Sequence, residues 1–235
     1  MISIMNGRIF IALDGLTRTK ALSLVKRLSG SRYKSLIAGY KIHDLWDSYG
    51  PGFVKELKRA GAEKVWVDLK LNDTQKTTTL RTDAVARSGA DLISVHASSG
   101  LAALKAAVRQ NIKVIAITVL TSLEPSEAKE IFRSAPLSSV LRLARIAQKA
   151  GVYGVVCSAH EVATLSNTKS LGKLIYIVPG IQTTLTKGGN QKRIGTPAAT
   201  LAQGASIIVI GSAITEHKTP IRAFEEIARE ILEIS

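Results

Sequence analysis

The residues of this chain whose types and spacing could do chemistry are three acids and two lysines: Asp14, Lys41, Asp68, Lys70 and Asp73. Three of them fall within Lys64 to Asp73, KVWVDLKLND, which reads as a strand that ends in charge. Residues two apart on a strand share a face, so Asp68 and Lys70 are expected to point together while Val67 and Leu69 point away. A carboxylate and an ammonium on one buried face make either a structural ion pair or a preorganised field, and both readings stand on these residues alone. As a field, the pair suits proton chemistry. A lysine kept protonated beside carboxylates can give its proton to a developing carbanion, and a carboxylate held against a substrate anion raises the energy of that ground state.

Such residues need elements to carry them. Short apolar runs predict strands at Arg8–Leu13, Ser35–Ile42, Lys64–Leu69, Leu92–Val95, Val114–Val119, Gly154–Ser158, Leu174–Val178 and Ser206–Ile210. Helical patterns lie between and after them at Thr17–Leu28, Gly52–Ala60, Thr77–Ser88, Leu101–Gln110, Leu137–Ala150, Pro197–Gln203 and Pro220–Leu232. Four helices run into a glycine step (AGAEK, SGADL, AGVYG, QGASI) suited to a left-handed stop. Strands separated by helices are parallel, and eight βα units in 235 residues predict a (β/α)8 TIM barrel, with residues 1–235 as one domain. A dinucleotide-binding sheet would want a G-x-G-x-x-G turn, which the sequence lacks.

A barrel gathers its chemistry at the C-terminal strand ends. There Asp14, Lys41, Asp68 and Lys70 would converge as alternating acids and bases, each charge offsetting the next. His96, Thr118, Thr121, Ser122, Ser158, the Pro179-Gly180 turn and Gly211-Ser212 complete the polar rim. The glycine- and threonine-rich stretch after the seventh strand carries Lys187, Lys192 and Arg193, in the region where barrels commonly hold a phosphate.

Composition narrows the function classes. The formal charge is +14, but the lysines and arginines are spread over six of the seven predicted helices instead of forming one run with interleaved aromatics, which argues for a small anionic ligand and against a nucleic-acid groove. No apolar run approaches the ~18 residues of a membrane span, and the N-terminal segment leads straight into a strand, so a soluble cytoplasmic protein is expected. Cys157 is the sole cysteine and sits in an apolar run, which favours a core thiol over a nucleophile. The four histidines show no zinc-like spacing, and no G-x-S-x-G elbow is present. His96 reads either as a base or as a strand-end histidine bonded to a loop carbonyl, whereas His43, His160 and His217 read as turn or surface residues.

With these residues in place, the chain resembles the orotidine 5'-phosphate decarboxylase family over nearly its whole length. The matching stretches are IALD, YKI, the D-x-K-x-x-D motif as DLKLND, SVHAS, AITVLTS, GVVCSAHE, VPGI, NQKRIGTPA and VIG. The resemblance implies a decarboxylation at C6 of an orotate ring without cofactor or metal, and a homodimer acting on a small nucleotide. It implies that Asp68 stresses the departing carboxylate and that Lys70 protonates the carbanion. Asp73 would enter the partner subunit's site, while Lys41 and Asp14 would complete the array and hold ribose hydroxyls. His96 and Ser98 of the HAS segment, Thr121, Pro179, Gly180, Gln182, Gln191, Gly211 and Ser212 would line the nucleotide. Two readings from other classes stand beside it: a superfamily relative acting on a sugar phosphate with Mg²⁺, and a non-catalytic nucleotide-binding descendant.

The chain departs from the family's bacterial pattern at one rim. Gln182 follows Pro-Gly-Ile and Ser212 follows the glycine of the eighth strand, where that pattern has two phosphate-binding arginines, and Thr74 replaces an aliphatic residue. Backbone amides near Gly180, Gly211 and Ser212, helped by Lys187, Lys192 or Arg193, are expected to take over the phosphate.

Overall fold

A computed structural model of the protein describes residues 8–181, 183 and 196–233. Eight parallel strands, β1 (Ile9–Ala12), β2 (Ile37–Ile42), β3 (Val65–Leu71), β4 (Leu92–His96), β5 (Lys113–Ile117), β6 (Gly154–Val156), β7 (Ile175–Val178) and β8 (Ile207–Ile210), close a barrel in chain order. Helices α1 (Arg18–Ser29), α2 (Asp44–Tyr49), α3 (Gly52–Arg59), α4 (Gln75–Arg87), α5 (Gly100–Val108), α6 (Pro125–Phe132), α7 (Pro136–Ala150), α8 (Val162–Ser166), α9 (Pro197–Ala202), α10 (Ser212–Thr215) and α11 (Pro220–Leu232) lie between and after the strands. The expected (β/α)8 barrel is what the chain forms.

Two cores divide the apolar residues. Inside the barrel, Phe10, Trp66, Leu92, Ile115, Ile177 and Ile207 pack together, with the rings of Phe10 and Trp66 edge to face at 5.4 Å. The opposite faces of the same strands meet the helices through residues such as Ile11, Val67, Ile93, Val155 and Ile208. Strands apolar on both faces follow from this double burial.

Register decides which charges face inward. Against β1, strand β2 holds one extra residue, since Ile9 pairs with Ile37 but Phe10 pairs with Gly39. Gly39 has φ +154°, and a Cβ there would come within 2.6 Å of the Phe10 ring and 2.7 Å of the Lys64 carbonyl, so only glycine fits. Beyond it, Lys41 pairs with Ala12 on one side and Trp66 on the other, both interior residues. Asp68, two residues past Trp66, occupies the next interior level.

The glycine steps behave as expected: Gly61, Gly89, Gly151 and Gly204 all have positive φ. At Gly61 and Gly204 a Cβ would also collide with Ser29 and Ser166, at 2.7 and 2.5 Å, so each glycine lets its turn pack closely on a neighbouring element.

The element boundaries differ from the sequence expectation in a few places. β5 stops at Ile117 and β6 at Val156, short of Val119 and Ser158, because the chain turns into the loops that form the barrel mouth. The sequence pattern predicts no helix at α2, α6, α8 or α10. α6 is marked by Pro125 at its first turn and a capping box between Glu124 and Glu127. Helix α4 begins at Gln75, ahead of the expected Thr77, because Thr74 caps it by accepting from the Thr77 amide at 3.4 Å. Among the described residues no helix is long and apolar enough to cross a membrane.

Candidate active site

Three strands bring the charges together. Asp14 follows β1, Lys41 stands near the end of β2, and Asp68 and Lys70 stand on β3. Lys41 Nζ lies 2.5 Å from Asp14 Oδ2 and 3.3 Å from Asp68 Oδ2, and Lys70 Nζ lies 2.6 Å from the same Asp68 oxygen. The sequence Asp14–Lys41–Asp68–Lys70 is therefore one continuous chain of contacts. Burial grades along it: the side chains of Lys41 and Asp68 are 8% and 6% exposed, those of Lys70 and Asp14 36% and 43%. Its centre is buried and its ends are more exposed.

Asp68 and Lys70 meet as the alternation predicts, but the backbone between them is irregular. Val67 pairs with Ile93 and Leu71 with Val95, so β3 spends four steps where β4 spends two. Lys70 has φ +48°, a left-handed conformation rare for a non-glycine residue. A bulge of this kind re-aims a side chain next to a site.

Burial alone would push the Asp68 carboxyl up. The charges of Lys41 and Lys70, with hydrogen bonds from Lys70 and Ser94, outweigh burial and hold it below the usual carboxylate range. Asp68 is ionised at neutral pH. At half-buried His96, burial and the Lys70 charge lower the imidazole pKa against an opposing pull from Asp68, so the ring stays neutral.

The array opens into a cavity of about 370 Å³ at the barrel mouth. Its apolar floor and wall are Ala12, Trp66, Ile117, Val119, Val156 and Val209, and its polar rim is Asp14, Lys41, Asp68, Lys70, Thr121, Ser122, Gly180, Gly211 and Ser212, with Pro179 beside them. An apolar pocket against a row of charges suits a ring that carries an anionic substituent. Of the expected site residues, Asp14, Lys41, Asp68, Lys70, Thr121, Pro179, Gly180, Gly211 and Ser212 thus share one cavity. His96, exposed Ser98 and exposed Asp73 do not line it, and Asp73 Oδ1 instead accepts from the Thr74 amide at 2.7 Å. Gln182, Gln191, Lys187, Lys192 and Arg193 lie outside the described residues.

Two residues at the array escaped the sequence reading. Ser94 is fully buried; its hydroxyl donates to Asp68 Oδ1 at 2.6 Å and accepts from the Lys70 amide at 2.9 Å. His43, read as a turn residue, faces the Asp68 carbonyl with Nδ1 at 2.8 Å, a contact that requires the imidazole to donate. A lone hydroxyl inside the apolar strand LISVH was the available signal for Ser94, whereas nothing local marks His43.

Fold and site together define a (β/α)8 barrel with an alternating charge array at the C-terminal mouth. The chain belongs to the orotidine 5'-phosphate decarboxylase / HUMPS family, whose profile matches residues 7–227. It is 36% identical to the orotidine 5'-phosphate decarboxylase of Idiomarina loihiensis over 233 residues, covering 95% of this chain and 97% of that one. It is likewise 36% identical to the enzyme of that name from Cutibacterium acnes over 228 residues, with 94% of each chain covered. Among solved structures, the orotidine 5'-phosphate decarboxylase of Lactobacillus acidophilus superposes with a TM-score of 0.77 at 28% identity, over 96% of this chain and 99% of that one.

Proposed function

We propose that the protein decarboxylates orotidine 5'-monophosphate to uridine 5'-monophosphate in pyrimidine nucleotide synthesis, with residues 1–235 acting as one cytoplasmic catalytic domain. The observation that carries this reading is the unbroken contact chain from Asp14 through Lys41 and Asp68 to Lys70, which ends at a partly exposed ammonium at a largely apolar cavity. The family and the curated relatives support the same reaction.

The geometry supports a two-stage mechanism. A substrate whose ring lies against Trp66 and Val209 carries its C6 carboxylate toward Asp68, which its cationic neighbours keep ionised. Repulsion between the two carboxylates raises the ground state, and the bond from C6 to the carboxyl carbon breaks to release carbon dioxide, leaving the electron pair on C6. Lys70 Nζ stabilises that pair and then gives it a proton, and solvent reprotonates the amine. Lys41 shares Asp68 Oδ2 with Lys70 and ties it to Asp14, which is exposed enough to meet a ribose hydroxyl.

Asp73 is exposed and turned from its own cavity, and α4 and α5 pack together with Leu80 and Leu101 uncovered on them. These features support a homodimer in which Asp73 serves the partner's site. Thr121, Ser122, Gly180, Gly211 and Ser212 are suited to the ribose and phosphate.

Turnover of orotidine 5'-monophosphate, followed by loss of its ultraviolet absorbance, tests the reaction. Activity that persists in EDTA favours this reading over a Mg²⁺-dependent sugar-phosphate decarboxylase, and absence of turnover alongside tight uridine 5'-monophosphate binding would favour a non-catalytic descendant.

A further inference from the structure

We propose that Ser94 is a positioning residue for this reaction, its hydroxyl fixing at one point both the left-handed bend at Lys70 and the orientation of the Asp68 carboxylate. The inference rests on the roles given above to Asp68 and Lys70.

The ladder between β3 and β4 is interrupted at this point. Between the pairs Val67–Ile93 and Leu71–Val95, Ser94 alone stands opposite Asp68, Leu69 and Lys70. A regular parallel pair would there offer backbone acceptors at even spacing, but the two surplus residues of β3 put its amides out of step. The Lys70 amide finds the Ser94 hydroxyl instead, at 2.9 Å. A left-handed non-glycine residue is unfavourable and persists only where its surroundings determine it. Here the determining contact is a side chain.

Orientation gives the hydroxyl its second task. Ile93 and Val95 pack outward against the helices while Leu92 lies in the barrel interior, so Ser94 faces inward with Leu92. Its single proton goes to Asp68 Oδ1 at 2.6 Å, which leaves Asp68 Oδ2 to receive Lys70 at 2.6 Å and Lys41 at 3.3 Å. Each carboxylate oxygen thus has assigned partners and the group cannot rotate freely. A serine hydroxyl is one donor and an acceptor, and both capacities are used. Removing it frees the Lys70 backbone and one oxygen of Asp68 together, so the ammonium and the carboxylate lose their relative placement.

The test compares Ser94→Thr with Ser94→Val, variants of nearly equal volume of which only threonine keeps the hydroxyl. Threonine is expected to retain the wild-type kcat within about threefold, whereas valine loses ~10- to 100-fold in kcat with KM changed far less, because a misplacement near the chemistry costs turnover. Two readouts need no substrate. The Lys70 ¹³Cα resonance, which reports backbone conformation, should move in the valine protein only. The Asp68 carboxyl ¹³C resonance should titrate ~1 pH unit higher in valine than in threonine, the worth of one hydrogen bond to the ionised form. Equal kcat, Lys70 shift and Asp68 midpoint in the two variants would overturn the proposal. If the wild-type protein turns over nothing while the two resonances still separate the variants, the reaction has been misread and the positioning role stands. Should the valine protein not fold, Ser94→Cys takes its place: it keeps the volume with a weak donor, and wild-type values there overturn the inference equally.

Discussion

Two sides of one cavity are built on different principles. At the ends of β1 to β3 every chemical group is a charged side chain, locked by strand register into contacts of 2.5 to 3.3 Å. At the ends of β7 and β8 the described lining is Pro179, Gly180, Gly211 and Ser212, a run of turns with a hydroxyl and no charge. The first side suits a step in which charge moves, since fixed ions need not reorganise during the reaction. The second suits recognition of a constant group by amides and hydroxyls, where fit matters more than field. The contrast separates chemistry from grip.

Substitutions on each side can break or sharpen it. The largest effect is expected from Lys70→Ala, which removes the proton donor and should lower kcat by ~10³-fold or more while the circular dichroism spectrum stays native. A variant that turns over at the wild-type rate would break the assignment of chemistry to β3. Next comes the substrate's tail. Orotidine should react with a kcat/KM at least ~10-fold below that of its 5'-monophosphate, because charge-assisted hydrogen bonds to phosphate contribute about 1.5–3 kcal/mol each. Equal values would mean that the β7–β8 side grips no phosphate. A finer cut is Ser212→Ala, expected to lower kcat/KM for the nucleotide by up to ~10-fold and to leave that for orotidine unchanged, as the loss of one neutral hydrogen bond would.

Asp68 adds a pH signature that only the charged side can have. Its pKa is lowered in the folded protein from an ordinary 3.8, so its contribution to stability is present above that value and is lost as pH falls below it. Acid titration followed by circular dichroism should therefore show the wild-type protein losing more stability than Asp68→Asn as pH falls below 3.8. The smallest effect is at the far end of the β3 segment, where Thr74→Ala should remove the α4 cap, cost ~1 kcal/mol and lower Tm by about 2–4 °C in a calorimetric scan.

Much of the charged side is legible in the sequence. Apolar runs of strand length alternating with helical patterns define the barrel, and a barrel forces Asp14, Lys41, Asp68 and Lys70 toward one mouth. The rest depends on register. That Lys41 points inward depends on one surplus residue, Ala38, beside Gly39, and the left-handed bend at Lys70 falls among two surplus residues opposite Ser94. No local pattern announces either, because a bulge is a relation between two strands. Ser94 and His43 were missed for that reason. Helix α2 was missed because its six residues are too few for periodicity to emerge.

Cys157 has so far been only a core thiol. It is fully buried, its amide donates to the Ile177 carbonyl at 3.1 Å, and burial together with the Glu161 charge pushes its pKa up. In the folded barrel, then, the one thiol of the chain is both shielded and protonated, and a thiol reagent must wait for the molecule to open. The rate of labelling becomes a clock for barrel opening, read from a single native atom without mutation or dye. Run with and without a bound nucleotide, that clock converts ligand binding at the mouth into a measured slowing of exposure at the wall.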